Sequence, residues 1–216
     1  MHTRRLGGAA ALLCGGLLAL STGMARGDVV YDNGLPDQGN GNEMTQWIQA
    51  EDFVLGLDTT LTDVHYWSVE TPGAYQGSIV WTIYADAAGT PGAQLFRGTV
   101  APTRVATGNS LSFGDEYANE FDVLPNVNLL AGSYWLGLHN GPLTFDTRSE
   151  YYWETTAPLG NGNEDMTPFD DSSWFNNGQE HAFYLTGTAV PEPSALALLL
   201  GSGVAGGLFA FRRVRR

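Results

Sequence analysis

The chain has 216 residues, with 23 acidic residues against 10 arginines, no lysine, and a formal net charge of −13. The arginines gather at the two ends, so residues 28–189 hold only Arg97, Arg104 and Arg148 against 22 acidic residues, a charge of −19. A surface of that sign repels nucleic acid and anionic lipid, excluding both as partners of this region, and it remains compatible with divalent cations or neutral polysaccharide.

At the N-terminus, Arg4 and Arg5 precede an uncharged stretch from Leu6 to Leu20 rich in Leu, Ala and Gly. These are the charged and apolar regions of a secretory signal. Ala25-Arg26-Gly27 before Asp28 has the small-x-small form that signal peptidase accepts, with Gly23-Met24-Ala25 as a second candidate. Residues 1–27 are therefore expected to be a cleaved signal peptide; the apolar core is short for a retained anchor. Cys14, the single cysteine, follows Leu13 instead of the small residue of a lipobox. It is expected to leave with the signal, so the mature chain has no disulfide and no cysteine metal site.

Residues 28–189 suit a single domain with its own core. Apolar and aromatic residues alternate over short runs separated by Gly, Pro, Asn and Asp clusters, the pattern of β-strands. In chain order the predicted strands are Glu51 to Leu55, Leu61 to Val69, Ile79 to Tyr84, Gln94 to Val100, Tyr117 to Val123, Ser133 to His139, Glu150 to Glu154 and Ala182 to Gly187. Ile79, Trp81 and Ile83 are expected to face one way and Val80, Thr82 and Tyr84 the other; a turn lies over Asp86 to Gly92. No sustained helical period interrupts them. The fold class is all-β, an antiparallel β-sandwich of jelly-roll type, with a barrel as the structural competitor. Gly39-Asn40-Gly41-Asn42-Glu43-Met44 returns as Gly160-Asn161-Gly162-Asn163-Glu164-Asp165-Met166. The flanks do not match, so these are two similar turns, which share one edge of the fold if the first and last strands are neighbours.

The C-terminal end reads Val190-Pro191-Glu192-Pro193-Ser194, then an uncharged stretch from Ala195 to Phe211, then Arg212, Arg213, Val214, Arg215 and Arg216. Residues 195–211 are long enough to cross a membrane as a transmembrane helix, and the four arginines hold the end in the cytoplasm. Pro191 and Pro193 keep the motif extended outside that helix. Residues 190–216 resemble the PEP-CTERM sorting signal, on the strength of the motif 190–194, the apolar span and the basic tail 212–216 together. The resemblance implies recognition of Pro191, Glu192 and Pro193 by exosortase, a membrane enzyme that cuts near the motif and releases or transfers the protein to the cell surface or matrix of bacteria that make exopolysaccharide.

Little in the domain points to catalysis. There is no nucleophile-elbow context, and His65, His139 and His181 are scattered singly without metal spacing; His65 and His139 are expected to be hydrogen-bonded structural residues. Glu150 and Glu154 would share a strand face about 13 Å apart, too wide for hydrolysis. Asp170-Asp171 and Glu51-Asp52 would point to opposite faces, and all these carboxylates are expected at the solvated surface. Calcium is the better-motivated ion, with Asp32, Asp37, Glu43, Asp170 and Asp171 as candidate ligands among Asn- and Gly-rich loops. Of the six tryptophans, Trp81 and Trp135 are expected to fill the core; Tyr151, Tyr152, Trp153 and Trp174 adjoin polar loops and are the candidates for stacking on sugar rings. The function expected is that of a non-catalytic surface or matrix component interacting with polysaccharide. An extracellular polysaccharide hydrolase is the alternative from another class, with adhesion or ice binding as a third.

Overall fold

The computed structural model describes residues 27–157, 160–165 and 173–190. The signal segment, Asp170, Asp171, the sorting motif at 191–193, the span 195–211 and the arginines 212, 213, 215 and 216 lie outside the described residues. Within them every regular element is a strand, and no helix is long and apolar enough to cross a membrane.

Among the described residues, thirteen strands form two antiparallel sheets. The first runs β1 (Asp28–Asp32), β13 (Phe183–Ala189), β4 (Thr59–Glu70), β10 (Tyr151–Glu154) and β2 (Gly41–Glu43). β4 is long enough to pair with both β13 and β10 along one edge; along the other it pairs with β8 (Gly114–Leu129), which pairs in turn with β7 (Thr103–Leu111). The second sheet runs β12 (Trp174–Asn176), β11 (Asn163–Asp165), β3 (Ile48–Leu55), β9 (Gly132–Asn140), β5 (Ile79–Asp86) and β6 (Pro91–Val100).

The core lies between the sheets because each contributes one apolar face. Leu61, Val64, Tyr66, Phe121, Phe183 and Leu185 come from the first; Phe53, Leu55, Ile79, Trp81, Ile83 and Leu138 come from the second. Alternation along β5 therefore works as expected: Ile79, Trp81 and Ile83 enter this core, while Tyr84 joins Trp135 and Ala50 in a smaller cluster under Trp174. The first and last strands are neighbours. The two Gly-Asn-Gly-Asn-Glu segments, which supply β2 and β11, approach one another through Gln49 of β3, whose Nε2 donates to Glu43 O at 2.7 Å and to Glu164 Oε2 at 3.2 Å.

Candidate functional site

The outer face of the first sheet carries a groove across β13, β4, β8 and β7. A register shift between Leu61 and Asp63 resets the alternation of β4, so Val64 and Tyr66 enter the core and His65 and Trp67 lie on the opposite face. Tyr184 of β13 pairs in register with His65. Their rings stack with centroids 4.1 Å apart and planes 6° from parallel, and Trp67 lies 6.0 Å from Tyr184. Trp67 and Tyr184 are half-buried. With Thr103 and Val105 of β7 and Ala118 and Glu120 of β8 they line a depression of about 270 Å³.

At Thr103 and Glu120 the groove meets a larger cleft of about 620 Å³, where Asp63, Asp122, Thr99 and Asn126 join Trp81 and Phe121. Asp63 and Asp122 face each other in register and share a hydrogen bond. That bond raises Asp122. On Asp63 burial pulls upward, but hydrogen bonds from Thr62 Oγ1 at 2.6 Å and Thr186 Oγ1 at 2.7 Å outweigh it and hold the carboxyl below its usual range. Two carboxyls in hydrogen-bond contact are much closer than the roughly 5 Å or more that glycoside hydrolysis uses, and their oxygens are suited to accept hydrogen bonds from a ligand's hydroxyls.

The remaining histidines are internal. His139 is buried with Nδ1 3.0 Å from Gly141 O. His181 is driven by burial down to about 3 and is neutral; its Nδ1 lies 2.7 Å from Glu51 Oε2 and its Nε2 3.1 Å from Asn42 Oδ1. Burial first, then the charge of Glu180, raises Glu51 well above the usual carboxylate range. The imidazole is thus held between Glu51 on one side and Asn42 on the other.

Several expectations from sequence are corrected. Tyr151 and Trp153 are fully buried and Tyr152 is 6% exposed, so these three rings are not available for stacking. The reason is the position of β10, paired on one side with β4 and on the other with β2, with Phe113 covering Tyr152. Trp174 stays partly exposed but stands edge-on to Tyr84, with centroids 5.2 Å apart. Glu150 and Glu154 do not share a strand face: Glu150 precedes β10 with a φ of 63° and is paired with Arg148, whereas Glu154 is fully buried. Glu51 is fully buried too, so neither it nor Glu154 lies at the solvated surface.

The calcium candidates Asp32, Asp37 and Glu43 cap their own turns. Asp32 Oδ1 accepts the Gly34 N–H, and Asp37 Oδ1 accepts the Gly39 N–H and the Thr155 hydroxyl. Glu43 accepts the N–H groups of Thr45, Gln46 and Ser149. Among the described residues these three do not gather into one acidic group. Sequence reasoning missed Trp67 and Tyr184: strict alternation from the core residue Leu61 would set Trp67 on the core face, and the shift that turns it outward follows from the pairing of β4 with β8.

Comparison with curated proteins and with solved structures returns no match. Residues 189–216 match the family model of the PEP-CTERM protein-sorting motif. The chain thus carries a PEP-CTERM sorting signal behind an all-β domain, which marks it as an exported protein targeted by exosortase.

Proposed function

We propose that the exported domain is a non-catalytic, polysaccharide-binding component of the cell surface or extracellular matrix, delivered through a membrane-anchored precursor that exosortase processes. The observation that carries this reading is the half-buried pair Trp67 and Tyr184, with the buried His65 stacked on Tyr184, lining a groove with Thr103, Val105 and Glu120. Flat aromatic faces take up the apolar C–H faces of sugar rings, and neighbouring carboxylates and hydroxyls fix orientation by hydrogen bonds. Four adjacent strands at the usual spacing give a groove roughly 14 Å across, enough for a short stretch of chain. With a charge of −19 over residues 28–189, the favoured ligand is neutral; an anionic polymer would be repelled.

Affinity electrophoresis of the exported protein in gels containing neutral glycans tests the reading. Retention is expected for the wild type, with about tenfold weaker binding in Trp67→Ala and in Tyr184→Ala, the loss of roughly 1.4 kcal/mol of stacking. Undiminished retention in both variants would overturn the groove assignment. Release of reducing ends would favour the hydrolase reading instead.

A further inference from the structure

Away from the groove, Glu51 and Asp52 of β3 and Glu180, which precedes β13, bring one carboxylate oxygen each to within 4.8 Å of one another. Like charges at that spacing, one of them fully buried, repel unless a proton or a cation intervenes. Glu51 Oε2 is already engaged, accepting the His181 N–H at 2.9 Å and facing His181 Nδ1. Glu51 Oε1 is buried with no hydrogen-bond partner. This buried oxygen carries no compensating contact among the described residues. Glu180 is held by Asn33, whose Nδ2 donates to Oε1 at 2.9 Å.

The second Gly-Asn-Gly-Asn-Glu segment passes directly against these carboxylates. A Cβ at Gly160 would lie 1.3 Å from Glu180 Oε2, and one at Gly162 would lie 2.9 Å from Glu51 Oε2. Backbone without side chains therefore closes over the acidic group. The arginines that could neutralise it are engaged elsewhere: Arg97 with Thr82 and Tyr84, Arg104 with Glu70, and Arg148 with Glu150.

We propose that Glu51, Asp52 and Glu180 bind a calcium ion that ties β3 of the second sheet to the segment leading into β13 of the first. The donors are hard carboxylate oxygens, the set calcium takes, with water and loop carbonyls to complete its six to eight ligands. Magnesium demands a tighter octahedron, and structural zinc sites are built mainly from cysteine and histidine. His181 serves as a positioning residue: its contact with Oε2 fixes the Glu51 carboxyl. Extracellular calcium modules bind at about 0.1–1 mM, which suits an exported protein.

The test is calcium titration of the full chain, purified in detergent and stripped with a chelator, followed by calorimetry and by thermal unfolding. One ion per chain is expected, with a rise in Tm at 10 mM calcium that chelator reverses. Asp52→Asn and Glu180→Gln alter partly exposed side chains, so they should fold in chelator as the wild type does. Each should weaken calcium at least tenfold and remove the Tm rise, while Asp146→Asn on an exposed loop should change neither. Absence of stoichiometric binding to the wild type, or undiminished binding in Asp52→Asn and Glu180→Gln, overturns the site. An equal Tm rise with magnesium overturns its assignment to calcium.

Discussion

Gly98 of β6 pairs in register with Trp81 of β5, and a Cβ placed on it would lie 2.7 Å from three atoms of the indole ring. Trp81 is 3% exposed and packed among core residues of both sheets, so the ring has little room to retreat. Gly98→Ala should therefore behave as an overpacking substitution, destabilising by about 1–3 kcal/mol. Urea unfolding checks this: the midpoint should fall while the slope with denaturant stays unchanged. An unchanged midpoint would mean that β6 shifts freely as an edge strand. Trp135 shows the complementary solution for a buried indole, since its N–H reaches Asp86 Oδ1 at 2.9 Å and so keeps a partner inside the smaller cluster.

At the level of elements, β10 separates what alternation can reveal from what it cannot. Along β5, period two alone divides Ile79, Trp81 and Ile83 from Tyr84, because one face of an inner strand meets the main core and the other meets a second cluster. Tyr151-Tyr152-Trp153 carries no such contrast, and its polar flanks suggest exposure; its burial follows from its partners β4 and β2, which are distant in sequence. β7 was illegible for the opposite reason: Thr103–Leu111 is almost wholly exposed, so it has no buried face to print a pattern. The groove inherits the same limit, because Trp67 and Tyr184 become neighbours only through the pairing of β4 with β13. The consequence for β10 is measurable. Trp153 touches Tyr66, Phe183 and His181, and its N–H donates to Ala182 O at 3.0 Å. Trp153→Ala should cost about 3–5 kcal/mol, lowering Tm by roughly 10 °C or more. Calorimetric melting distinguishes this from a surface role, which would leave Tm in place.

For the whole molecule, pH dependence ties the acidic composition to the interior. Glu154 is fully buried on β10. Burial first, then the neighbouring Glu116 and Asp37, pushes its carboxyl from the ordinary 4.5 up to about 8. Between those values the unfolded chain has released this proton and the folded chain still holds it, so stability falls as pH rises. The contribution of Glu154 is complete below about 4.5 and is lost as pH passes 8. Mutual repulsion in a region of charge −19 acts in the same direction once the surface carboxylates ionise. The two effects are separable, because Glu154→Gln removes the buried proton and leaves the surface charge. Thermal melts from pH 4 to 9 at constant ionic strength, with chelator present so that cation binding does not contribute, should show wild-type Tm declining between pH 4.5 and 8. The Gln variant should decline less, with its largest advantage at pH 8 and little at pH 4.5. Parallel curves would place the decline outside Glu154, in surface repulsion and in the other buried carboxyl, Glu51, whereas a flattened one assigns it to Glu154, a carboxyl that the fold keeps protonated at neutral pH.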